Sequence, residues 1–97
     1  MQVRFLDVEG IRTRILTGGE PGRYPLLLLH GYGDTGDMWV PLANALVATH
    51  TVVVPDLRGM GLSSHQDGGY AKLAQGRDLA RILDTLKIDR VDVVSHD

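Results

Sequence analysis

Three short stretches of the chain are apolar on nearly every position: Leu26–Leu29, Val52–Val54, and Val91 with Val93 and Val94. A strand with one face on the core alternates apolar and polar residues. A strand buried on both faces does not, which is the pattern of the interior of a parallel sheet. The leucine run alone would suit a buried helix equally well, but it is short and bounded by Pro25 and Gly31, which favours a strand. Upstream, Val3, Phe5 and Leu6 followed by Glu9-Gly10 predict a strand closing in a tight turn. Ile11–Leu16 then alternates with the period of a half-exposed strand. Together they predict an antiparallel hairpin at a sheet edge.

Elsewhere the period lengthens to that of a helix. Thr17–Arg23, with three glycines and Pro21, reads as a loop, as does Gly31–Gly36. Asp37 then reads as an N-cap, followed at helical spacing by Trp39, Leu42, Ala43, Leu46 and Val47. A second loop, Leu57–Gly69, leads to a helix whose apolar face is Leu79, Ile82, Leu83 and Leu86, with Lys87 in its last turn. Two edge strands followed by strand–helix–strand–helix–strand predict a three-layer α/β fold with a parallel sheet and right-handed crossovers. Helices over only part of such a sheet leave apolar faces uncovered, so residues 1–97 are expected to form the N-terminal portion of a single larger domain.

Composition narrows the partners. The chain has 97 residues, 43% of them hydrophobic and 23% charged, with a net charge of -2, which gives no electrostatic case for nucleic acid or an anionic membrane surface. The absence of cysteine removes disulfides, thiolate zinc sites and a cysteine nucleophile. Neither a metal nor a cofactor is expected. Leu26–Leu29 is far too short to span a bilayer, and the early charges Arg4 and Asp7 leave no signal-peptide apolar core. A soluble, cytoplasmic protein is the expectation.

Candidate chemistry follows the carboxyl ends of the apolar strands, where open parallel sheets bind ligands. In His30-Gly31-Tyr32-Gly33 the glycines allow backbone N–H groups to face a cavity and hold an oxyanion; a plain glycine-rich turn is the alternative. Neither phosphate-loop nor dinucleotide glycine spacing is present. In the next loop, Asp56-Leu57-Arg58-Gly59-Met60-Gly61-Leu62-Ser63-Ser64, Asp56 is expected to fix the loop by hydrogen bonds and Arg58 to bridge loops, with anion binding as the lesser option for Arg58. The last strand runs into Ser95-His96-Asp97. A nucleophile on a sharp strand-to-helix turn needs a small residue two positions before it. Asp97 has Ser95 there, whereas Ser95 would have the bulky Val93, so Asp97 is the better nucleophile; capping of a following helix is its alternative role. His96 reads as a rim residue beside it, pointing to the opposite face and so not the base.

These residues, with Trp39 downstream, resemble the N-terminal part of an α/β-hydrolase of the epoxide hydrolase and dehalogenase group, over roughly residues 24–97. The resemblance implies a three-layer α/β-hydrolase fold whose mostly parallel sheet carries an antiparallel edge hairpin. It makes Asp97 the nucleophile and the Tyr32 backbone N–H half of the oxyanion hole, with His30 organising the loop. His30, Gly31 and His96 are the expected substrate-binding residues, and Trp39 is core packing. It implies opening of an epoxide through an aspartyl ester that water hydrolyses to a diol. The alternatives are a fluoroacetate-type haloacid dehalogenase with the same nucleophile, or an inactive fragment. Haloalkane dehalogenases are less similar, having Asn where this chain has Tyr32. Gly33 departs from the group, many of whose members carry Pro there. The partners implied are a small-molecule substrate and a companion chain carrying the rest of the domain, with its acid, its base and its lid.

Overall fold

The computed structural model describes residues 1–8, 10–63 and 72–97. In chain order it contains β1 (Gln2–Val8), β2 (Ile11–Gly18), β3 (Leu26–Leu29), a 3-10 turn (Gly36–Trp39) running into α1 (Val40–Leu46), β4 (Val52–Pro55), α2 (Lys72–Thr85) and β5 (Asp92–Ser95). The five strands form one sheet in the order β1-β2-β4-β3-β5. β3 is parallel to both β4 and β5, while β2 is antiparallel to β1 and to β4. The expected α/β architecture is present.

Loss of alternation in the apolar runs has the expected cause. Leu26, Leu28, Val52 and Val54 point to one face, where Trp39 and Ala43 meet them; Leu27 and Val53 point to the other, where Ile82 of α2 packs with Val8 and Ile15. Each sheet face therefore has its own core and its own helix, which makes three layers. The route β3–α1–β4 moves to one side of β3, and β4–α2–β5 returns to the other. The order reverses at β3, so the loops leaving β3 and β5 open side by side into the crevice where such sheets bind ligands.

Several expectations are corrected. β2 is not an edge strand: it pairs on both sides, and Thr13 to Leu16 are all buried, so of the hairpin β1 alone lies at a sheet edge. The cap of the first helical segment is Thr35, whose Oγ1 accepts from the Asp37 N–H at 3.2 Å; Asp37 lies in the first turn. Leu42 is exposed, because the opening 3-10 turn rotates the stripe and leaves Trp39 and Ala43 facing the sheet. Lys87 lies beyond α2 in the left-handed region at φ 59, and the N–H groups of Lys87 and Ile88 cap the Asp84 and Leu83 carbonyls. β5 forms as a strand but is not buried: it pairs with β3 alone, and Val93 and Val94 are 54% and 41% exposed. Apolar sheet surface is thus left uncovered, as expected. Glu9 of the hairpin turn and Ser64 to Gly69 of the second loop lie outside the described residues. Among those described, no helix is long and apolar enough to cross a membrane.

Candidate active site at the carboxyl ends of the parallel strands

Three loops meet at this end of the sheet, and two buried polar side chains tie them together. His30 ends the β3 run and is buried. The Leu57 N–H donates to its Nε2 at 2.9 Å, so Nδ1 carries the proton and donates to the Gly31 carbonyl at 2.8 Å. Both ring nitrogens are used in holding the β3 loop to the β4 loop.

Asp56 is the second tie. Its carboxylate is fully buried and accepts from the Gly36 N–H at 2.7 Å, the Leu62 N–H at 2.9 Å and Arg14 Nη1 at 3.2 Å. Its own N–H donates to the Arg14 carbonyl at 2.9 Å. The Arg14 N–H donates to Ser63 Oγ at 3.0 Å, and Ser63 Oγ donates to the Asp56 carbonyl at 2.7 Å. Ser63 thereby continues the β2–β4 ladder past Pro55. Gly61 makes room for this arrangement: at φ +55, a Cβ there would lie 2.3 Å from Asp56 Oδ2. Arg14 also reaches the exposed Asp37 through Nη2 at 2.9 Å. That hydrogen bond, first among the causes, holds the Asp37 carboxyl below the ordinary carboxylate range and raises the Arg14 guanidinium. Arg58 bridges the β4 loop to α2 through a two-pronged pair with Asp78, at 2.6 and 2.5 Å.

Against this frame stands Asp97. The His96 N–H donates to the Leu29 carbonyl at 3.1 Å, continuing the β3–β5 ladder to the residue before it. Gly31 lies against Asp97 so closely that a Cβ there would fall 2.5 Å from Asp97 Cα and 2.7 Å from Oδ1. The Tyr32 N–H donates to Asp97 Oδ1 at 3.4 Å, while the Tyr32 side chain is 90% exposed. Gly33 takes φ +79, a value the proline ring forbids. His30, Gly31, His96 and Asp97 border one cavity of about 360 Å³. Tyr32, Arg58 and Met60 border a second of about 470 Å³, and Lys72 and Gln75 of α2 line both.

A larger cavity, about 670 Å³, lies at the other end of the sheet among Gly18, Gly19, Pro25 and Leu86 to Ile88, and among the described residues no carboxylate or imidazole lines it. Chemistry-bearing groups converge on the smaller two. Among the described residues no group of three His, Asp or Glu side chains could hold a metal ion.

All five residues named from the sequence, His30, Gly31, Tyr32, His96 and Asp97, come together at one rim. Arg14, Ser63 and Gln75 were not singled out. The signal for Arg14 was a charge between Thr13 and Ile15 in a strand whose neighbours are all buried. For Gln75 it was helical spacing, seven residues before Ile82 on the same stripe.

Residues 24–97 match the family described as the alpha/beta hydrolase fold, and the chain belongs to that family. It is 36% identical over 90 residues to the soluble epoxide hydrolase of Corynebacterium sp. (strain C12), covering 93% of this chain and 31% of that protein. It is 35% identical over 99 residues to the fluoroacetate dehalogenase of Burkholderia sp, covering 97% and 32%. The crystal structure of epoxide hydrolase A from Mycobacterium thermoresistibile superposes with a TM-score of 0.92 at 30% identity, covering 99% of this chain and 31% of that one. The chain therefore spans about a third of the length of these relatives.

Proposed function

We propose that these residues carry the nucleophile and half of the oxyanion hole of an epoxide hydrolase working through an aspartyl ester. The supporting observation is the Tyr32 N–H directed at Asp97 Oδ1 at 3.4 Å. When a carboxylate is the nucleophile, the negative charge of the second step develops on the nucleophile's own carbonyl oxygen. A donor must then face Asp97 itself, and catalytic hydrogen bonds are often long in the unliganded state.

In the first step the free Asp97 oxygen attacks an epoxide carbon and the carbon–oxygen ring bond breaks. The ring oxygen leaves as an alkoxide and takes a proton, giving a hydroxyalkyl ester of Asp97. Water, losing its proton to a base, then attacks the ester carbonyl carbon. Charge collects on the oxygen beside the Tyr32 N–H, the ester bond breaks, and the departing alkoxide is protonated to the diol. His30 is unsuited to be that base because both its nitrogens are engaged. The base, its acid partner and the second oxyanion donor would come from polypeptide beyond residue 97 or from a companion chain, which fits the share of the relatives that this chain spans.

Asp97→Ala is expected to lower diol formation from an aryl or alkyl epoxide by more than about a thousandfold. In a single turnover in ¹⁸O-water the label should enter Asp97 and leave the diol unlabelled. Label in the diol with none in Asp97 would mean direct attack by water and would sink the covalent reading. The dehalogenase relative supports a second reading, haloacid hydrolysis with the same nucleophile. Fluoride or chloride release from a haloacetate, with no diol from epoxides, would select it.

A further inference from the structure

The buried stripe of α2 continues past its apolar residues: Gln75, Asp78 and Ile82 all face inward. Ile82 fills the core and Asp78 holds Arg58. Gln75 is only 7% exposed, yet its carboxamide has no hydrogen-bond partner among the described residues. With no protein partner, its two donors and its acceptor remain available to a ligand. Neither amide atom is sealed off, since the fully buried, unpartnered polar side-chain atoms of the described residues are Arg14 Nε and Trp39 Nε1. Gln75 lines both cavities, the one bordered by Asp97 and the one bordered by Tyr32 and Met60.

We infer that Gln75 is a substrate-binding residue that selects epoxides carrying an acceptor oxygen between the ring and an apolar end, as in an aryl glycidyl ether. This rests on the reading of Asp97 as nucleophile. With the reacting carbon at Asp97, the substrate runs past Gln75 and places its apolar end between Tyr32 and Met60. The Gln75 NH2 donates to the ether oxygen on the way.

The test compares phenyl glycidyl ether with its carbon isostere, (2-phenylethyl)oxirane, in the wild-type protein and in Gln75→Met. The variant keeps the length of the side chain and removes the donor. The expected result is a loss of about tenfold in kcat/KM on the ether, the worth of one neutral hydrogen bond, with less than about threefold on the isostere. Equal losses on both, or no loss on either, overturn the inference. A binding readout separates this outcome from failure of the nucleophile reading. The affinity of 3-phenoxy-1,2-propanediol and of 4-phenyl-1,2-butanediol, measured by calorimetry, should show the same selective loss in Gln75→Met. That loss is expected even if Asp97→Ala leaves turnover intact. Diol affinities that fall together, or not at all, overturn it independently of activity.

Discussion

Asp56 is expected to be the most costly polar residue of the chain to remove, although it touches no proposed reacting atom. Asp56→Ala would orphan the N–H groups of Gly36 and Leu62 and leave Arg14 with Asp37 as its remaining partner. Breaking a buried ion pair costs about 3–5 kcal/mol, and each orphaned buried N–H about 1–3 kcal/mol. These do not add fully, because water enters the vacated space and Asp37 still compensates part of the charge. About 3–5 kcal/mol is therefore the expected loss, a large part of the 5–15 kcal/mol typical of a domain. Asp56→Asn keeps the shape but should recover little. Whichever way its amide turns, an NH2 faces a donor: Gly36 N–H on one side, or Leu62 N–H and Arg14 on the other.

Urea unfolding of the protein reads this as a lower midpoint with an unchanged slope. Arg14→Met supplies the control. Alone it strands the Asp56 carboxylate, but in the Asp56→Ala background it removes a charge that has already lost its buried partner. A double-mutant cycle should give a coupling of at least about 2 kcal/mol. A loss below about 1 kcal/mol for Asp56→Ala, or a coupling near zero, would refute the assignment of Asp56 as the hub.

Three further outcomes are expected. Gly31→Ala must move Asp97 away from a Cβ that would sit 2.5 Å from its Cα, and a displacement near 1 Å should lower epoxide turnover on the order of a hundredfold while the fold survives by circular dichroism. Lys87→Gly relieves a left-handed backbone at φ 59 and should raise stability by about 1 kcal/mol in urea unfolding. Asp37→Asn should cost less than about 1 kcal/mol near neutral pH, since the carboxylate is 62% exposed and solvent-screened. Because Arg14 lowers the folded pKa of Asp37, its contribution is present above the ordinary value of 3.8 and is lost as pH falls through the lowered one, so wild-type and variant stabilities should converge in acid.

The elements of the fold were legible because two-faced burial leaves a pattern along the chain. Leu26–Leu29 and Val52–Val54 carry no alternation because a helix covers each face of their sheet. The role of Arg14 was not legible: its partners Asp37 and Asp56 lie 23 and 42 residues away, and nothing in local periodicity joins them. β5 misled for a related reason. Its valines have the composition of a buried strand, but burial depends on what lies against a strand, and among the described residues β5 stands at the sheet edge, paired with β3. The site residues were legible as motifs because tight turns and close approaches restrict residue type. Gly31 is required by the position of Asp97, 66 residues later in the chain, a contact that its own neighbourhood does not reveal.

The geometry at Asp97 is maintained from a distance. Its direct bond to the Tyr32 N–H, at 3.4 Å, is too long to position either group. What fixes Asp97 is the β3–β5 register, Leu26 on Asp92 through Leu29 on Ser95, continued by the His96 N–H on the Leu29 carbonyl. A slip of one residue would shift Asp97 by about 3.3 Å and turn its side chain to the other face of the sheet. What fixes Tyr32 is the pair of buried polar residues below it: His30 ties its loop to the Leu57 backbone, and Asp56 holds the far end of the same loop at Gly36. The two halves of the proposed oxyanion geometry are thus set by separate devices, sheet register for the carboxylate and buried hydrogen bonds for the donor. They meet where Gly31 has no side chain.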